Sequence, residues 1–299
     1  MIEQIQHPPA LPARPVEGHK GLFGRVLVVG GSAQMIGAPV LAGTAALRLG
    51  AGLVRIALPA EVLAAAVAVT PELVGVARPN RAVERWLTTA LEAADAVVFG
   101  PGLGTGAQQY RMLRTIAAGS KPAVIDADGL NVLAACGRLP EPFTVQAVLT
   151  PHPGEMARLA AMVGWNGAVP ADEAGRMDIA TRAAGVFGQV IVLKGHRTVV
   201  ADGARVYVNR TGDSSLSKAG TGDVLSGMIG CLLAQKMQPF AAASLAVWLH
   251  GRAGELAGRA LSRRCVLARD VIDHLPQAVR EMEEASASAQ GTTAGAPPG

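Results

Sequence analysis

The sequence predicts an α/β protein in which one mostly parallel β-sheet is covered by helices on both faces. Short apolar runs rich in Val, Ile and Leu alternate along the chain with longer stretches that have helical spacing. These runs are apolar almost throughout, which is typical of parallel strands buried on both faces. Several of them end in glycine or in a polar loop, the position at which open parallel sheets bind ligands.

The first elements are predicted from prolines, glycines and the apolar runs between them. Residues 1–20 are rich in proline and lack periodicity, so an extended arm is expected before the domain. Residues 25–32 contain a short apolar run that leads into two glycines, which is the pattern of a buried parallel strand opening into a loop. A helix is expected over residues 37–49, because Pro39 suits a first helical turn and glycines follow the last apolar residue.

The rest of the chain continues the alternation and then departs from it once. Further strands are predicted within residues 53–58, 96–100, 123–127, 147–150 and 190–194. Residues 199–208 contain two β-type runs that flank Asp202 and Gly203, which is a strong hairpin signal. We find no repeat and no linker, so one folded domain is predicted over residues 21–282. The tail, residues 283–299, is rich in Ala, Ser, Gly and Thr and is expected to be disordered.

Composition and charge exclude several classes of function. The chain has 299 residues, 27 of them basic and 23 acidic, and its net charge of +4 is too small and scattered for a nucleic-acid-binding protein. Its three cysteines are far apart and lack metal-ligand spacing, which favours a reduced, cytoplasmic setting. Neither a signal peptide nor a membrane span is expected, because no long uncharged apolar stretch is present.

The most informative stretch, residues 218–227, is a glycine-rich turn that leads into a helix with a buried apolar face. Gly220 and Gly222 permit close approach of a ligand, and the free N–H groups of a first helical turn attract anions. Asp223 would repel a bound phosphate, yet a carboxylate beside a phosphate is well placed to take a proton from an attacking hydroxyl. The alternative is an ordinary first-turn Asp after a flexible loop.

Other polar residues gather in loops that follow predicted strands, and each also has a structural explanation. Asp126 and Asp128 could cap the next helix. His152 could be a surface turn residue, and Lys194 could be a solvated charge or a phosphate contact. Two nucleotide motifs are excluded: Thr105 stands where a dinucleotide fingerprint needs glycine, and no glycine loop has the Gly-Lys-Ser/Thr of a P-loop.

Seven stretches, taken together and in order over about residues 25–275, resemble one family closely. They are VVGGS (28–32) with GA (37–38), AALRLGAGLV (45–54), GPGLG (100–104), DADGLN (126–131), TPHPGEM (150–156), VLKG (192–195) and GTGDVLSG (220–227). This pattern resembles the ADP- or ATP-dependent NAD(P)H-hydrate dehydratases, which are carbohydrate-kinase-like repair enzymes. The family usually has Asn-Pro-Gly-Met-Ala before the last stretch, whereas this chain has DSSLSK at residues 213–218.

The resemblance implies a ribokinase-like three-layer αβα sandwich and a repair reaction. The hydroxyl of the S epimer of NADHX or NADPHX would be phosphorylated from ADP or ATP, and phosphate would then be eliminated to restore NADH or NADPH. Mg²⁺ is implied as cofactor, since phosphate charge must be neutralised. A homotetramer is implied as the assembly, and an epimerase is expected as a separate functional partner because the chain has no room for a fused one.

The resemblance also assigns roles by position. Asp223 would act on the substrate hydroxyl, while Gly220 and Gly222 would hold developing phosphate charge. The implied NAD(P)HX contacts are Ala38, Gly104, His152 and Asp223. The implied ADP or AMP contacts are Lys194, Gly195, His196, Arg197, Thr198 and Gly222. Glu155 is assigned to the Mg²⁺ side of the site, where it would act through water.

Two other functions are weighed against this one. A kinase of a small alcohol such as hydroxyethylthiazole would use the same fold and release a stable phosphate ester, but the TPHPGE stretch argues against it. A nucleotide-sensing subunit would keep the pocket without turnover, and the intact Asp223 argues against that. The choices between ADP and ATP, and between NADHX and NADPHX, stay open at this point.

Overall fold

The computed structural model describes residues 2–293, which form ten strands and ten α-helices. The strands are β1 (Glu3–Ile5), β2 (Arg25–Val29), β3 (Leu53–Pro59), β4 (Val74–Arg78), β5 (Ala96–Phe99), β6 (Ala123–Ile125), β7 (Ala147–Leu149), β8 (Val190–Leu193), β9 (Val199–Ala201) and β10 (Arg205–Val208). The helices are α1 (Gly37–Arg48), α2 (Ala60–Val69), α3 (Val83–Glu92), α4 (Ala107–Ala117), α5 (Asp128–Cys136), α6 (Pro153–Leu159), α7 (Glu173–Phe187), α8 (Thr221–Ala234), α9 (Pro239–Leu261) and α10 (Ala268–Thr293). Two short 3₁₀ helices cover Ala160–Val163 and Ser214–Leu216.

One mixed sheet organises the described residues. Its strand order is β1-β10-β9-β8-β7-β6-β5-β2-β3-β4. Neighbouring strands are parallel from β8 to β4, whereas β9 is antiparallel to both β8 and β10. The predicted mostly parallel sheet and the hairpin at Asp202 and Gly203 are therefore confirmed. Because the parallel strands run the same way, the loops that follow them open at one edge of the sheet.

Helices cover both faces of the sheet, and each face has its own apolar core. On one face α1, α8, α9 and α10 bury side chains such as Met228 and Leu245 against the strands. On the other face α3 to α7 contribute Leu113, Met156 and Ile179 to a second buried cluster. The predicted three-layer αβα arrangement is confirmed.

Small residues let α8, the helix that begins at the glycine-rich turn, lie directly against its neighbours. A Cβ atom at Gly227 would come within 1.9 Å of the Ala42 carbonyl oxygen on α1. A Cβ atom at Gly230 would meet a Val98 methyl group of β5 at 2.4 Å. Close packing of this kind tolerates no added methyl group without a shift of backbone. It therefore fixes the position of the start of α8, which carries Asp223.

Three segments differ from the prediction. Residues 3–5 of the expected arm form β1, which pairs with β10 at the edge of the sheet. This strand was not predicted, because these residues contain no apolar run. Edge strand β4 has no counterpart among the predicted strands, because it contains a glycine and is only partly buried. Helix α10 continues to Thr293, so the described part of the expected disordered tail is helical. Residues 294–299 lie outside the described residues.

The longest helices are α9 and α10, of 23 and 26 residues. Within residues 2–293 neither these nor any other helix has the continuous apolar length that crossing a lipid bilayer would require.

Candidate active site

Loops at the carboxyl edge of the sheet enclose a cavity of about 640 Å³, and the start of α8 closes it on one side. Small-molecule sites typically have volumes of roughly 300–1,000 Å³. Most of the predicted site residues line this cavity, namely His152, Glu155, Lys194, Gly195, His196, Arg197, Thr198, Gly220, Gly222 and Asp223. Residues far apart in the sequence thus meet where a parallel sheet places its ligand.

A buried ion pair joins three elements at this edge. Asp126 follows β6 and is only 1% exposed. Its Oδ1 accepts a hydrogen bond from Lys194 Nζ, which follows β8, at 2.7 Å. Its Oδ2 accepts a bond from the Ser226 hydroxyl of α8 at 2.5 Å. Helix α5 begins without a side-chain cap, so the expectation that Asp126 or Asp128 caps it is wrong.

Both members of this pair stay charged in spite of their burial. Burial opposes ionisation of Asp126, but the Lys194 ammonium and the Ser226 hydroxyl hold the pKa of this carboxyl below its usual value. Burial also disfavours the ammonium, but the carboxylates of Asp126 and Glu155 raise the pKa of Lys194. An ammonium has three donors, so Lys194 keeps donors for a phosphate in the cavity. The alternative of a solvated surface charge is wrong for Lys194.

Asp223 lies in the first turn of α8 and faces the same cavity. Burial raises its pKa to about 7, and the nearby charge of Asp126 adds to this effect. Lys194 offsets part of the rise. A carboxyl group that titrates near neutrality can accept a proton at physiological pH. An ordinary first-turn Asp on a solvated helix would keep a pKa near 4, so the geometry favours a chemical role.

The turn before α8 leaves backbone N–H groups available to an anion. Gly220 has φ +92°, in the left-handed region that favours glycine, and it begins the helix without a side-chain cap. The Thr221 hydroxyl lies 2.8 and 2.9 Å from two carbonyl oxygens of the preceding loop, and its single O–H, which these two acceptors share, holds the turn. A Cβ atom at Gly222 would lie 3.4 Å from Lys194 Nζ. The uncapped helix start and the ammonium therefore face each other as two parts of an anion site.

Residues 213–218, where the chain departs from the family's usual sequence, are held in place by side chains. Asp213 accepts a hydrogen bond from the Ser215 N–H and pairs with Arg263 at 2.7 Å. Lys218 Nζ donates to the Arg264 carbonyl at 2.9 Å. The divergent loop is thus tied to the segment that follows α9 and still delivers the glycine turn to the cavity.

His152 caps α6 and also lines the cavity. Its Nδ1 accepts hydrogen bonds from the backbone N–H groups of Gly154 and Glu155, while Glu155 Oε2 accepts the His152 N–H at 2.7 Å. This reciprocal capping box fixes the ring. The side chain is about half exposed, at 51%, and lies in the cavity wall. The structural role and the proposed ligand contact therefore fall on the same residue.

Ala38 and Gly104 are not among the residues that line the cavity. Ala38 lies in the first turn of α1, and Gly104 lies in the loop that follows β5. A Cβ atom at Gly102 would be 3.4 Å from the Ala38 methyl group, so the start of α1 and this loop are in contact. The Gly104 N–H donates to Asp128 Oδ2 at 2.8 Å, which holds the loop against the start of α5. The proposed NAD(P)HX contacts are thus divided between the cavity and this second pair of segments.

The loop over residues 194–198 connects β8 to β9 in a tight turn. Gly195 has φ +140°, and the Thr198 hydroxyl donates to its carbonyl at 2.9 Å. Arg197 also has a positive φ, +54°, and pairs with Glu173 of α7 at 2.7 Å. Glu173 pairs with Arg210 as well, so two guanidinium groups are held at the rim of the cavity.

Three further residues of the site were not singled out from the sequence. Asn209 is 3% exposed, lines the cavity and donates to the Val247 carbonyl of α9. His250 of α9 also lines it, and burial lowers its pKa to about 4, so the ring is neutral at physiological pH. Ser226 follows Asp223 by three residues, and that spacing on one helix face is a signal that could have identified it.

The side chains fit a Mg²⁺ ion that is held mainly by a nucleotide. Among the described residues, no group of three or more His, Cys, Asp or Glu side chains could hold a metal by itself. Mg²⁺ in phosphoryl-transfer sites is commonly bound by one or two carboxylates, several waters and the substrate phosphates. Glu155 is 4% exposed and Oε2 already accepts a backbone N–H, so its contact with such an ion would pass through water.

An open, mostly parallel sheet between two helical layers, with an anion-binding turn at its carboxyl edge, defines a ribokinase-like α/β protein. The chain belongs to the NAD(P)H-hydrate dehydratase family, whose model matches residues 26–277. The crystal structure of the ADP/ATP-dependent NAD(P)H-hydrate dehydratase from Bacillus subtilis, co-crystallised with ATP and Mg²⁺, superposes with a TM-score of 0.78. That protein is 32% identical, and the match covers 91% of this chain and 95% of that one.

Curated relatives support the same family. The bifunctional NAD(P)H-hydrate repair enzyme of Moorella thermoacetica is 41% identical over 284 residues, which are 92% of this chain but 52% of that protein. The ADP-dependent (S)-NAD(P)H-hydrate dehydratase of Neisseria meningitidis is 40% identical over 263 residues, which are 84% of this chain and 83% of that protein. The chain thus spans about half the length of the bifunctional relative and most of the length of the shorter one.

Proposed function

We propose that this chain is an ADP- or ATP-dependent dehydratase that restores NADH and NADPH from the S epimers of NADHX and NADPHX. The observation that carries the proposal is Asp223, a carboxyl group with a pKa of about 7 beside an uncapped glycine turn and the Lys194 ammonium. Membership of the NAD(P)H-hydrate dehydratase family supports the substrate. The name of the Neisseria relative supports an adenine nucleotide as co-substrate.

In the first step, the substrate hydroxyl attacks the terminal phosphorus of the nucleotide while Asp223 orients this hydroxyl and takes its proton. The N–H groups at Gly220 and Gly222 and the Lys194 ammonium stabilise the charge that develops on the phosphoryl oxygens. Asp223 is suited to this role because about half of it is ionised at pH 7 when its pKa is near 7.

In the second step, phosphate leaves the substrate carbon and a carbon–carbon double bond is restored in the nicotinamide ring. The ring nitrogen donates its electron pair as the carbon–oxygen bond to phosphate breaks, which gives a carbon–nitrogen double bond and a positively charged ring. The adjacent ring carbon then loses a proton to the departing phosphate, and the electrons of that C–H bond form the carbon–carbon double bond and return the pair to nitrogen, so this step needs no strong acid. The chain's contribution is to hold the phosphate oxygens and to exclude water from a cavity of about 640 Å³. Mg²⁺, when bound with the nucleotide, supplies neutralisation of phosphate charge.

The two ligands approach from two sides of the same edge. Residues 194–198 and Gly222 hold the adenine nucleotide, because this loop and the start of α8 together face the cavity. NAD(P)HX lies against His152 and reaches Ala38 at the start of α1 and Gly104 in the loop after β5. Glu155 meets Mg²⁺ through water. In this arrangement Asp223 lies between the nucleotide phosphate and the substrate hydroxyl.

The setting of the enzyme is also part of the proposal. An NAD(P)HX epimerase acts as its functional partner, because the proposed reaction uses only the S epimer, as the name of the Neisseria relative states for that protein. A cytoplasmic location agrees with three cysteines, Cys136, Cys231 and Cys265, that form no disulfide. A homotetramer is the expected assembly.

Product analysis tests the reaction type. Purified protein is incubated with NADHX, Mg²⁺ and ADP, and the products are separated and identified. A dehydratase yields NADH, AMP and free phosphate in equal amounts. Accumulation of a phosphorylated substrate without NADH would instead indicate a kinase, and nucleotide binding without any product would indicate a sensing subunit. Either result would overturn the proposal.

A further inference from the structure

Two buried arginines each donate hydrogen bonds to the backbone of one loop at the carboxyl edge of the sheet. Arg176 of α7 is 6% exposed, and its Nη2 donates to the carbonyls of Leu193 and Lys194 at 2.9 and 3.2 Å. Arg78 at the end of β4 is 9% exposed, and its Nη1 and Nη2 donate to the carbonyls of Gly30 and Gly31 at 2.9 and 2.8 Å. Each guanidinium therefore donates hydrogen bonds to two consecutive backbone carbonyls at the end of a parallel strand.

Neither arginine has a carboxylate in an ion pair within residues 2–293, although buried guanidinium groups are normally paired. Burial is the largest influence on both groups and lowers their pKa values, and Glu61 opposes this only in part for Arg78. Arginine nevertheless stays protonated in proteins. Arg176 Nε also lacks any hydrogen-bond partner in this part of the chain. Each site thus contains a buried positive charge that no ion pair among the described residues neutralises.

In each case the backbone that accepts these hydrogen bonds continues to a residue proposed to contact a ligand. The carbonyls bound by Arg176 open the loop over residues 194–198, and a Cβ atom at Gly195 would lie 3.1 Å from its guanidinium. The carbonyls bound by Arg78 open the loop that leads to Ala38 and lies against Gly102. In both loops the carbonyls that accept the arginine hydrogen bonds point toward the guanidinium, so other backbone groups of the loop are the ones that can face a ligand.

We propose that Arg176 and Arg78 are positioning residues, one for each ligand, and that the anionic ligand supplies the missing counter-charge. Arg176 serves the phosphates of the adenine nucleotide, and Arg78 serves the pyrophosphate of NAD(P)HX. The inference rests on the proposed function, since it assigns the two ligands to the two loops. In the buried part of the protein, where the dielectric constant is low, a cation attracts an anion over several ångströms. Neither guanidinium therefore has to touch a phosphate.

The two arginines are matched controls for each other. The variants Arg176→Gln and Arg78→Gln each remove one buried charge and keep a side chain whose NH2 group can still donate hydrogen bonds. Calorimetry measures binding of ADP with Mg²⁺ and, in separate titrations without nucleotide, of NADHX. We expect Arg176→Gln to weaken ADP binding about tenfold and NADHX binding less than about twofold, and Arg78→Gln to show the reverse. Equal losses for both ligands, or no loss, would overturn the inference.

A second pair of measurements separates charge from loop geometry. Adenosine carries no phosphate, so Arg176→Gln should weaken adenosine binding less than ADP binding, whereas a purely structural defect would weaken both alike. If the Gln variants do not fold, Arg176→Lys and Arg78→Lys keep the charge and should hold the ratio of ADP to NADHX affinity within about twofold of wild type. A larger change in that ratio would contradict the charge argument. Wild-type protein that binds neither ligand would contradict the proposed function instead.

Discussion

Replacement of Asp223 by Asn tests the chemical role of this carboxyl group in the first turn of α8. The change keeps the size of the side chain and removes the group that can accept a proton. General-base or orienting groups contribute on the order of a hundredfold to ten-thousandfold to a rate, so we expect turnover to fall by about that factor. ADP should bind at least as tightly as in the wild type, because a negative charge next to Lys194 and the phosphate site is removed.

The same substitution has a calculable effect on stability. The pKa of Asp223 is about 7 in the folded protein against an ordinary value of 3.8, a difference that corresponds to roughly 4 kcal/mol at most. A group whose folded pKa is raised contributes stability below its unfolded pKa and loses it as the pH rises through the folded pKa. The ligand-free wild type should therefore lose stability between about pH 4 and pH 7 relative to Asp223→Asn. Above pH 8 the variant should be more stable, by roughly 1–3 kcal/mol after relaxation of the site.

Three measurements decide this prediction. Steady-state rates with NADHX and ADP give the loss of turnover, calorimetry gives the ADP affinity, and urea unfolding at pH 4, 6 and 8 gives the stability difference. For the wild type, kcat/KM should also rise through about pH 7 as Asp223 ionises. A variant that keeps more than about a tenth of wild-type turnover, or a stability difference that does not change with pH, would refute the reasoning.

Three further predictions concern the nucleotide, the substrate and the metal. Lys194→Ala should weaken ADP binding more than NADHX binding in calorimetry, and equal losses for both ligands would contradict the assignment. Because this change leaves Asp126 unpaired, the double variant Lys194→Met with Asp126→Asn is the matched control for folding. His152→Ala should raise KM for NADHX by about tenfold at most with little change in kcat, while His152→Asn keeps the helix cap and separates capping from binding; a collapse of turnover at saturating NADHX would make His152 catalytic. Removal of Mg²⁺ by a chelator should stop turnover without lowering the Tm of the ligand-free protein, since the described residues hold no metal cluster; a lower Tm would reveal a structural ion.

Much of the fold could be predicted because strong local signals coincide with tertiary burial. The runs that became β2, β5 and β8 are apolar and buried except for Arg25 at the start of β2, and glycines follow their ends. The hairpin was announced by Asp202 and Gly203. Strands β1 and β4 were missed because edge strands are short and half exposed, so neither their hydrophobicity nor their pattern stands out.

The site was predictable only as a set of motifs, because its chemistry depends on distances that the sequence does not contain. The glycine turn and Asp223 could be recognised as an anion site with a carboxylate. The raised pKa of Asp223 could not, since it requires burial and the charge of Asp126, which lies about a hundred residues away. The ion pair between Asp126 and Lys194 could not be predicted either, because the two residues follow different strands and are far apart in the sequence. The buried arginines gave no signal at all, because lone arginines in a sequence are usually solvated.

The most direct test of the central claim is a measurement of NADH absorbance after the purified protein is mixed with NADHX, Mg²⁺ and either ADP or ATP. The proposed dehydratase predicts that NADH appears at a rate proportional to the protein concentration, only when a nucleotide is present, and about a hundredfold or more slowly with Asp223→Asn. NADH formation that proceeds equally without nucleotide, or no NADH with either nucleotide from protein that binds both ligands, would contradict it.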